Sequence, residues 1–343
     1  MTLSQAFERH VPAVDALLRD ILAAPSAGFK SLYGMLQYHH GWLDQDLRPV
    51  QADSGKRVRP LLCLLSCEAC GGEAETALPV AAAIELLHSF SLVHDDIQDN
   101  SPLRRHRPTV WALWGAPQAI NVGDLLFAEA NHCLLRVREV TPAEVALTVA
   151  SEFQTTCVRL CEGQYLDMDF EQRRLVSSDE YFAMIERKSA ALIGFAAWAG
   201  AVVAGAGAAR ADHLRDFGRD LGLAFQIQDD VLGIWGEEAE TGKSVSSDIA
   251  AAKKTLPWLL ALESLPSGDG SELVELYRQR ERSEPMVARA RDLIERSGAR
   301  ERCQALADER YRSALAALQA ADPAPGSAKT LRELVQYLGG RRS

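Results

Sequence analysis

Residues 77–99 read Ala-Leu-Pro-Val-Ala-Ala-Ala-Ile-Glu-Leu-Leu-His-Ser-Phe-Ser-Leu-Val-His-Asp-Asp-Ile-Gln-Asp. Within them Leu86, Phe90, Val93 and Ile97 recur at i, i+4, i+7 and i+11, the apolar stripe of an amphipathic helix. Gly71-Gly72 punctuates the chain before this run and Ser101-Pro102 after it. Outward from there the same texture repeats, with further sharp breaks only at Ser267-Gly268-Asp269-Gly270 and Asp322-Pro323-Ala324-Pro325-Gly326. The pattern predicts helices over roughly 10–24, 30–47, 57–70, 77–99, 118–138, 142–166, 178–205, 211–235, 253–264, 271–279, 283–297, 299–321 and 328–338. No alternating strand pattern persists beyond a few residues, and there is no fixed-period repeat. The expected fold is all-α, in a single domain over residues 1–343.

With 47% hydrophobic and 24% charged residues, the chain has globular composition, which excludes a disordered one. A net charge of -10 argues against a nucleic-acid binder. Seven cysteines sit mostly among apolar neighbours, as in Cys63-Leu-Leu-Ser-Cys67-Glu-Ala-Cys70. The Cys67–Cys70 pair has no second pair at zinc-site spacing, so reduced core thiols in a cytoplasmic protein are expected. The N-terminus lacks the apolar core of a secretory leader. Between Lys188 and Arg210 no charge occurs, but the stretch is mostly Ala and Gly. It offers lipid little apolar area, so a buried helix that lets neighbouring backbones come close is expected rather than a membrane span.

Two Asp-Asp dipeptides occur, and each closes an apolar run: His94-Asp95-Asp96-Ile97-Gln98-Asp99 and Gln226-Ile227-Gln228-Asp229-Asp230. Carboxylates four residues apart on a helix share a face, so Asp95 and Asp99 can converge on one object. Held that way they repel unless a cation lies between them. Magnesium suits, being hard and shared between carboxylates and substrate phosphates; exposed acidic helix ends are the plain alternative. Basic clusters complete the pattern: Gly55-Lys56-Arg57-Val58-Arg59-Pro60, Arg104-Arg105-His106-Arg107, Lys243, and Lys253-Lys254. Singly these read as solvated faces. Beside two magnesium-type carboxylate sets they read as clamps for two diphosphates.

These elements, with Lys188-Ser189 and Phe225-Gln226-Ile227-Gln228-Asp229-Asp230, resemble the trans-isoprenyl diphosphate synthases, the polyprenyl synthetase family. Among them the likeness is to short-chain members that make geranylgeranyl diphosphate. The resemblance implies a bundle of long helices around a central cavity, paired as a homodimer. It implies head-to-tail condensation of isopentenyl diphosphate (IPP) with an allylic diphosphate, with magnesium, three ions per site, as cofactor. By the resemblance, Asp95, Asp99 and Asp229 would hold the ions, supported by Asp96 and Asp230. Arg104, Lys188, Lys243 and Lys253 would grip the allylic diphosphate, with Ser189 and Gln226 beside it. Lys56, Arg59, His88 and Arg105 would hold IPP. Such chemistry stabilises a leaving diphosphate and a carbocation, for which Ser189, Gln226 and Phe225 are candidates, and needs no nucleophilic Ser or Cys. His88 contacts phosphate in this reading rather than acting as a general base, and His94 is a satisfied helix-face histidine.

Three positions depart from the family pattern. Gly233 stands where the second set has its third aspartate, with Glu237, Glu238 or Glu240 as possible substitutes or as a solvated loop. His106 replaces a Gly after the arginine pair, and Ser189 replaces a Thr. Arg341-Arg342 reads as a frayed basic tail. The product grows along the helix before Asp95, so Phe90, Ser91, Leu87 and the deeper Ala83 act as a ruler. A ring five residues before Asp95, with no insertion inside Asp95–Asp99, resembles short-chain members that make C20 geranylgeranyl diphosphate, with C15 farnesyl diphosphate second; alternatively Phe90 packs against a neighbouring helix. A terpene cyclase or a silent subunit of the same fold are the other readings, and the IPP set and intact aspartates count against them.

Overall fold

The computed structural model describes residues 1–236, 246–279 and 281–340. They group into two compact units, each built of helices. The first comprises Met1–Phe153, Ala196–Asp212 and Asp322–Leu331. Its helices include α1 (Leu3–Ile21), α2 (Lys30–His39), α3 (Val58–Ala69), α4 (Ala74–Gln98), α5 (Val110–Trp114) and α6 (Ala116–Leu134). α4 is the run quoted above, and it packs on α1, α3 and α6. By length and hydropathy α4 could cross a membrane. Here Ala81, Ala82, Ala83, Ile84, Leu86 and Leu87 are fully buried in protein instead.

The second unit comprises the described residues of 154–195, 213–321 and 332–343. α7 (Ala143–Gln172) passes into it from the first unit, and α8 (Ser178–Ile185) follows. A π-helical turn, Glu186–Ala190, then runs without a break into α9 (Ala191–Val203). Beyond lie α10 (Ala208–Trp235), α11 (Ser247–Ala250), α12 (Leu256–Ser264), α13 (Ser267–Arg278), α14 (Glu284–Arg296), α15 (Ala299–Ala320) and α16 (Pro325–Gly339). The Ala/Gly-rich stretch is a buried helix, as expected. A Cβ on Gly218 would lie 2.5 Å from the Ile193 carbonyl oxygen, and one on Gly200 would overlap that of Cys63. All seven cysteines are free thiols, and Cys161 is exposed.

The helix expected over 30–47 ends at His39. Gly41 takes φ 77° and Leu47 φ 60°, left-handed backbone that no helix accommodates. The Asp44 carboxylate accepts from the Asp46 and Arg48 amides and closes a turn in place of a helical one. α1 begins seven residues earlier than expected, because Thr2 and Gln5 cap it reciprocally. The all-helical reading also missed a short hairpin, β1 (Leu103–Arg104) with β2 (Arg107–Pro108). Two residues per strand are too few to show alternation. At its tip Arg105 and His106 take φ 51° and 59°, which costs about 1–2 kcal/mol per residue for a non-glycine side chain. Strain of this kind collects where a side chain has to be aimed.

Candidate active site

In the first unit the last turn of α4 presents Asp95 half-buried and Asp99 exposed, with Asp96 buried between them. The Arg104 guanidinium clamps Asp96: Nε donates at 2.9 and 3.1 Å, and Nη2 lies 2.9 Å from Oδ1. Burial raises the Asp96 pKa while Arg104 pulls it down. Asp96 therefore holds Arg104 in place, a contact the resemblance did not name. Arg104 is committed to this carboxylate through two nitrogens, so its expected grip on a diphosphate is shared with an internal duty.

Arg104, Arg105 and Arg107 line one pocket together with His39, Asp53 and Asp96. Arg104 is held there by Asp96, and Arg107 donates to the Tyr38 and Leu43 carbonyls, so this basic hollow is braced by internal hydrogen bonds. Arg105 leans on the loop that carries Lys56, since a Cβ on Gly55 would lie 2.9 Å from its Cζ. Arg59 Nη1 lies 3.1 Å from His88 Nε2. Arginine only donates, so the His88 ring accepts there and is neutral. Burial and then the charges of Arg59, Arg105 and Arg104 hold its pKa well below the ordinary value. His88 thus orients Arg59, and its charges-by-proximity place it with the expected IPP set. His39 belongs to the same basic surroundings, with its pKa depressed by burial and then by Arg105 and Arg104. No spacing signalled it.

Arg57, from the same basic cluster, does something else. It is 3% exposed, with Nη1 2.6 Å from Glu85 and from the Ser54 carbonyl, and Nε 2.9 Å from Asp15. It anchors the Lys56 loop to α1 and α4 rather than meeting a ligand.

In the second unit Asp229 is exposed near the end of α10, and Asp230 is buried beneath it. Asp230 accepts from Tyr181 Oη at 2.6 Å, Gln226 Nε2 at 2.9 Å and the Leu256 amide at 3.0 Å. Burial pushes its pKa up to about 7, against the hydrogen bond from Tyr181. The Leu256 amide opens α12, so Asp230 also caps a helix start. Gln226 Oε1 in turn accepts from Ser189 Oγ at 2.6 Å. The chain Ser189–Gln226–Asp230–Tyr181 joins the π-helical turn, α10 and α8. Lys188, on that turn, pairs with Asp167 of α7 at 2.5 Å. π-helical turns mark functional positions in helices, and this one carries both Lys188 and Ser189. Lys254 donates to the Phe170 and Glu171 carbonyls, where it satisfies the end of α7. Lys253 is half-buried next to it. Lys243, Glu237, Glu238, Glu240 and Arg341-Arg342 lie outside the described residues.

The ruler residues lie on α4 in the order expected. Leu87 and Ala83 are fully buried, and Ser91 Oγ donates to the His88 carbonyl. Phe90 does pack against a neighbouring helix: its ring is 5.1 Å from that of Phe127 on α6 and 4.8 Å from His94. His94 Nε2 lies 3.4 Å from the Ile120 carbonyl, so it is the satisfied helix-face histidine. Phe127 was not anticipated; no motif on α6 singles it out.

The donor set fits magnesium. Asp95 and Asp99 in the first unit, and Asp229 in the second, each offer carboxylate oxygens at a helix end and are at least partly exposed. Among the described residues no three His, Cys, Asp or Glu side chains close on an ion unaided. Mg2+ is usually held by one or two carboxylates, with substrate phosphate oxygens and water completing its shell.

Comparison with known proteins bears on this arrangement. Residues 40–294 match the polyprenyl synthetase family. A short chain isoprenyl diphosphate synthase of Methanothermobacter thermautotrophicus is 45% identical over 260 residues, 76% of this chain and 78% of that protein. A geranylgeranyl diphosphate synthase of Mycobacterium tuberculosis is 41% identical over 85% of this chain and 82% of its own length. A (2E,6E)-farnesyl diphosphate synthase of Mycobacterium bovis is 44% identical over 66% of this chain and 63% of its length. Among solved structures, a polyprenyl synthetase from Streptomyces coelicolor is similar with a TM-score of 0.89 at 36% identity, covering 98% of this chain and 99% of that one. A polyprenyl synthase from Caulobacter crescentus, complexed with calcium and isoprenyl diphosphate, gives 0.85 at 31%, covering 99% and 97%.

Proposed function

The chain belongs to the polyprenyl synthetase family and is a short-chain prenyl diphosphate synthase, a prenyltransferase, and from that premise we propose that it condenses IPP with an allylic diphosphate and stops at C20 geranylgeranyl diphosphate. The observation that supports the two-substrate reading is the grouping of Arg59 with His88, and of Arg105 against the loop that carries Lys56, in the same unit as the first aspartate set. A cyclase ionises one diphosphate and has no use for a second cradle.

Asp95 and Asp99 of the first unit and Asp229 of the second would hold magnesium, which would supply positive charge to the departing diphosphate. Three ions per site is what the family resemblance implies. Asp96 and Asp230, each fixed by hydrogen bonds, keep the neighbouring carboxylates from turning inward. Lys188 and Lys253 add charge for the allylic diphosphate, and Ser189 and Gln226 offer dipoles to the positive carbon. Lys56, Arg59, His88 and Arg105 hold IPP. In the reaction the allylic C1–O bond breaks, C1 bonds to the terminal alkene carbon of IPP, and the proton lost passes to the released diphosphate. No side-chain nucleophile takes part.

Product length rests on the Phe90–Phe127 pair. One helical turn rises ~5.4 Å, comparable with one isoprene unit. Two rings wedged across α4 and α6 one turn and more before Asp95 form a floor for a chain of C20 size. Phe90→Ala is expected to shift the product of purified enzyme to longer chains, and Phe127→Ala in the same direction; an unchanged length distribution in both refutes the floor. The wider test is magnesium-dependent turnover of IPP with dimethylallyl, geranyl and farnesyl diphosphate, followed by product sizing. A C20 product is expected. A C15 product would instead match the farnesyl synthase relatives, and a cyclic hydrocarbon formed without IPP would sink the reading.

We also propose a homodimer. On α7, Val158 and Tyr165 are 57% and 68% exposed, and Cys161 and Met168 are exposed between and beyond them. Positions 158, 161, 165 and 168 follow helical spacing and form a stripe suited to a second copy.

A further inference from the structure

Tyr181 is buried on α8, in the second unit, and no sequence motif singles it out. Ser177 and Glu180 cap the start of α8 reciprocally. Ser178 Oγ ties the same turn to α12 by donating to Glu263 Oε1 at 2.7 Å. So held, the Tyr181 ring directs its Oη to α10, where it donates to Asp230 Oδ2 at 2.6 Å. The Leu256 amide donates to the same oxygen at 3.0 Å, and Oδ1 is left to Gln226.

Two donors on Oδ2 fix the facing of the Asp230 carboxylate, and the polarity of the rest follows from donor and acceptor chemistry. Gln226 stands four residues before Asp230, on the same face of α10. A carboxylate only accepts, so Gln226 turns its NH2 to Oδ1, at 2.9 Å, and its carbonyl oxygen away. That oxygen also only accepts, so Ser189 Oγ gives its single proton to it, at 2.6 Å. What Ser189 then offers any further group is a lone pair. Tyr181 and Asp230 are buried, whereas Gln226 and Ser189 are half-buried. The hydrogen-bonded chain thus runs from the interior outward and ends on two oxygen acceptors.

We propose that Tyr181 is a positioning residue for the carbocation step: by fixing Asp230 it holds the Gln226 carbonyl oxygen and the Ser189 lone pairs toward the allylic carbon. This deepens the prenyl-transfer reading above and rests on it. Oxygen lone pairs stabilise a positive carbon, and an N–H group opposes it. A Gln226 amide turned the other way would put positive partial charge in the same place, so its orientation decides the sign of its effect. Preorganised dipoles of this kind act on charge as it develops. The intact allylic diphosphate carries no positive carbon, so Tyr181 acts on kcat rather than on substrate binding.

The test is Tyr181→Phe, which keeps the ring and removes the hydroxyl. Its kcat with IPP and an allylic diphosphate is expected to fall about 10–100-fold, the scale of a small misplacement in a reacting constellation. Both KM values are expected to stay within about twofold of wild type. Two probes then separate orientation from general damage, each measured by calorimetry with Mg2+. One is an ammonium analogue of the allylic cation, bound together with inorganic diphosphate; the other is an unreactive allylic thiodiphosphate, whose carbon is uncharged. The ammonium analogue is expected to weaken by the same factor as kcat, and the thiodiphosphate by less than about twofold. Should Tyr181→Phe fold poorly, Asp230→Asn is the second variant. Its carbonyl oxygen can keep Tyr181 and the Leu256 amide, while its NH2 faces Gln226 and reverses that amide. The same selective loss of the ammonium analogue is expected. Equal weakening of both probes, or no weakening of either, overturns the proposal. Wild-type protein that binds neither probe and turns over no IPP fails the functional reading instead.

Discussion

Asp95→Ala is expected to lower kcat/KM for IPP and its allylic partner by about 10³-fold or more, the scale of removing one preorganised group that stabilises developing charge. The variant should stay folded. Asp95 is half-buried on the last turn of α4, beside the like charges of Asp96 and Asp99, so its removal takes away repulsion rather than packing. Activity within tenfold of wild type, in protein whose unfolding curve is unchanged, would place the chemistry elsewhere. Raising magnesium should restore little of the loss, because the missing group is a ligand and not a screen.

Arg57→Met is expected to act in the opposite way, on stability more than on chemistry. The guanidinium bridges Glu85 of α4, Asp15 of α1 and the Ser54 carbonyl, and Glu85 is only 4% exposed. Burial works against the Arg57 charge, yet Glu85 and Asp15 raise its pKa overall. Removing one partner of a buried pair strands the other, at about 3–5 kcal/mol. Denaturant unfolding should show that loss, and adding Glu85→Gln should return part of it. A loss below about 1 kcal/mol would mean that water reaches Glu85 and that Arg57 does not anchor the Lys56 loop.

Arg57 also shows where a basic cluster stops being readable. Lys56, Arg57 and Arg59 stand almost adjacent in the chain, and by charge alone all three suit a phosphate. The left-handed backbone at Arg57, φ 51°, turns its side chain into the protein, and nothing in an arginine announces that conformation. The same limit hid the loop after His39, where Leu47 is left-handed, and the hairpin tip at Arg105 and His106. Helices were more legible because their signals are local. Periodicity, a capping residue and a flanking glycine lie within one or two turns of the element they define, so α3, α4 and α10 appear within a few residues of their observed ends.

By itself the amino-acid sequence determined the all-helical class, the two aspartate pairs at helix ends, the basic sets and the ring at Phe90, because each is written in residues one to eleven positions apart. Only the tertiary structure decided which groups those side chains meet. Asp230 finds Tyr181 across 49 positions, Lys188 finds Asp167 across 21, and Phe90 finds Phe127. Such pairings depend on how closely packed helices bring distant backbone together, and a close-packed interior leaves each volume to a single occupant.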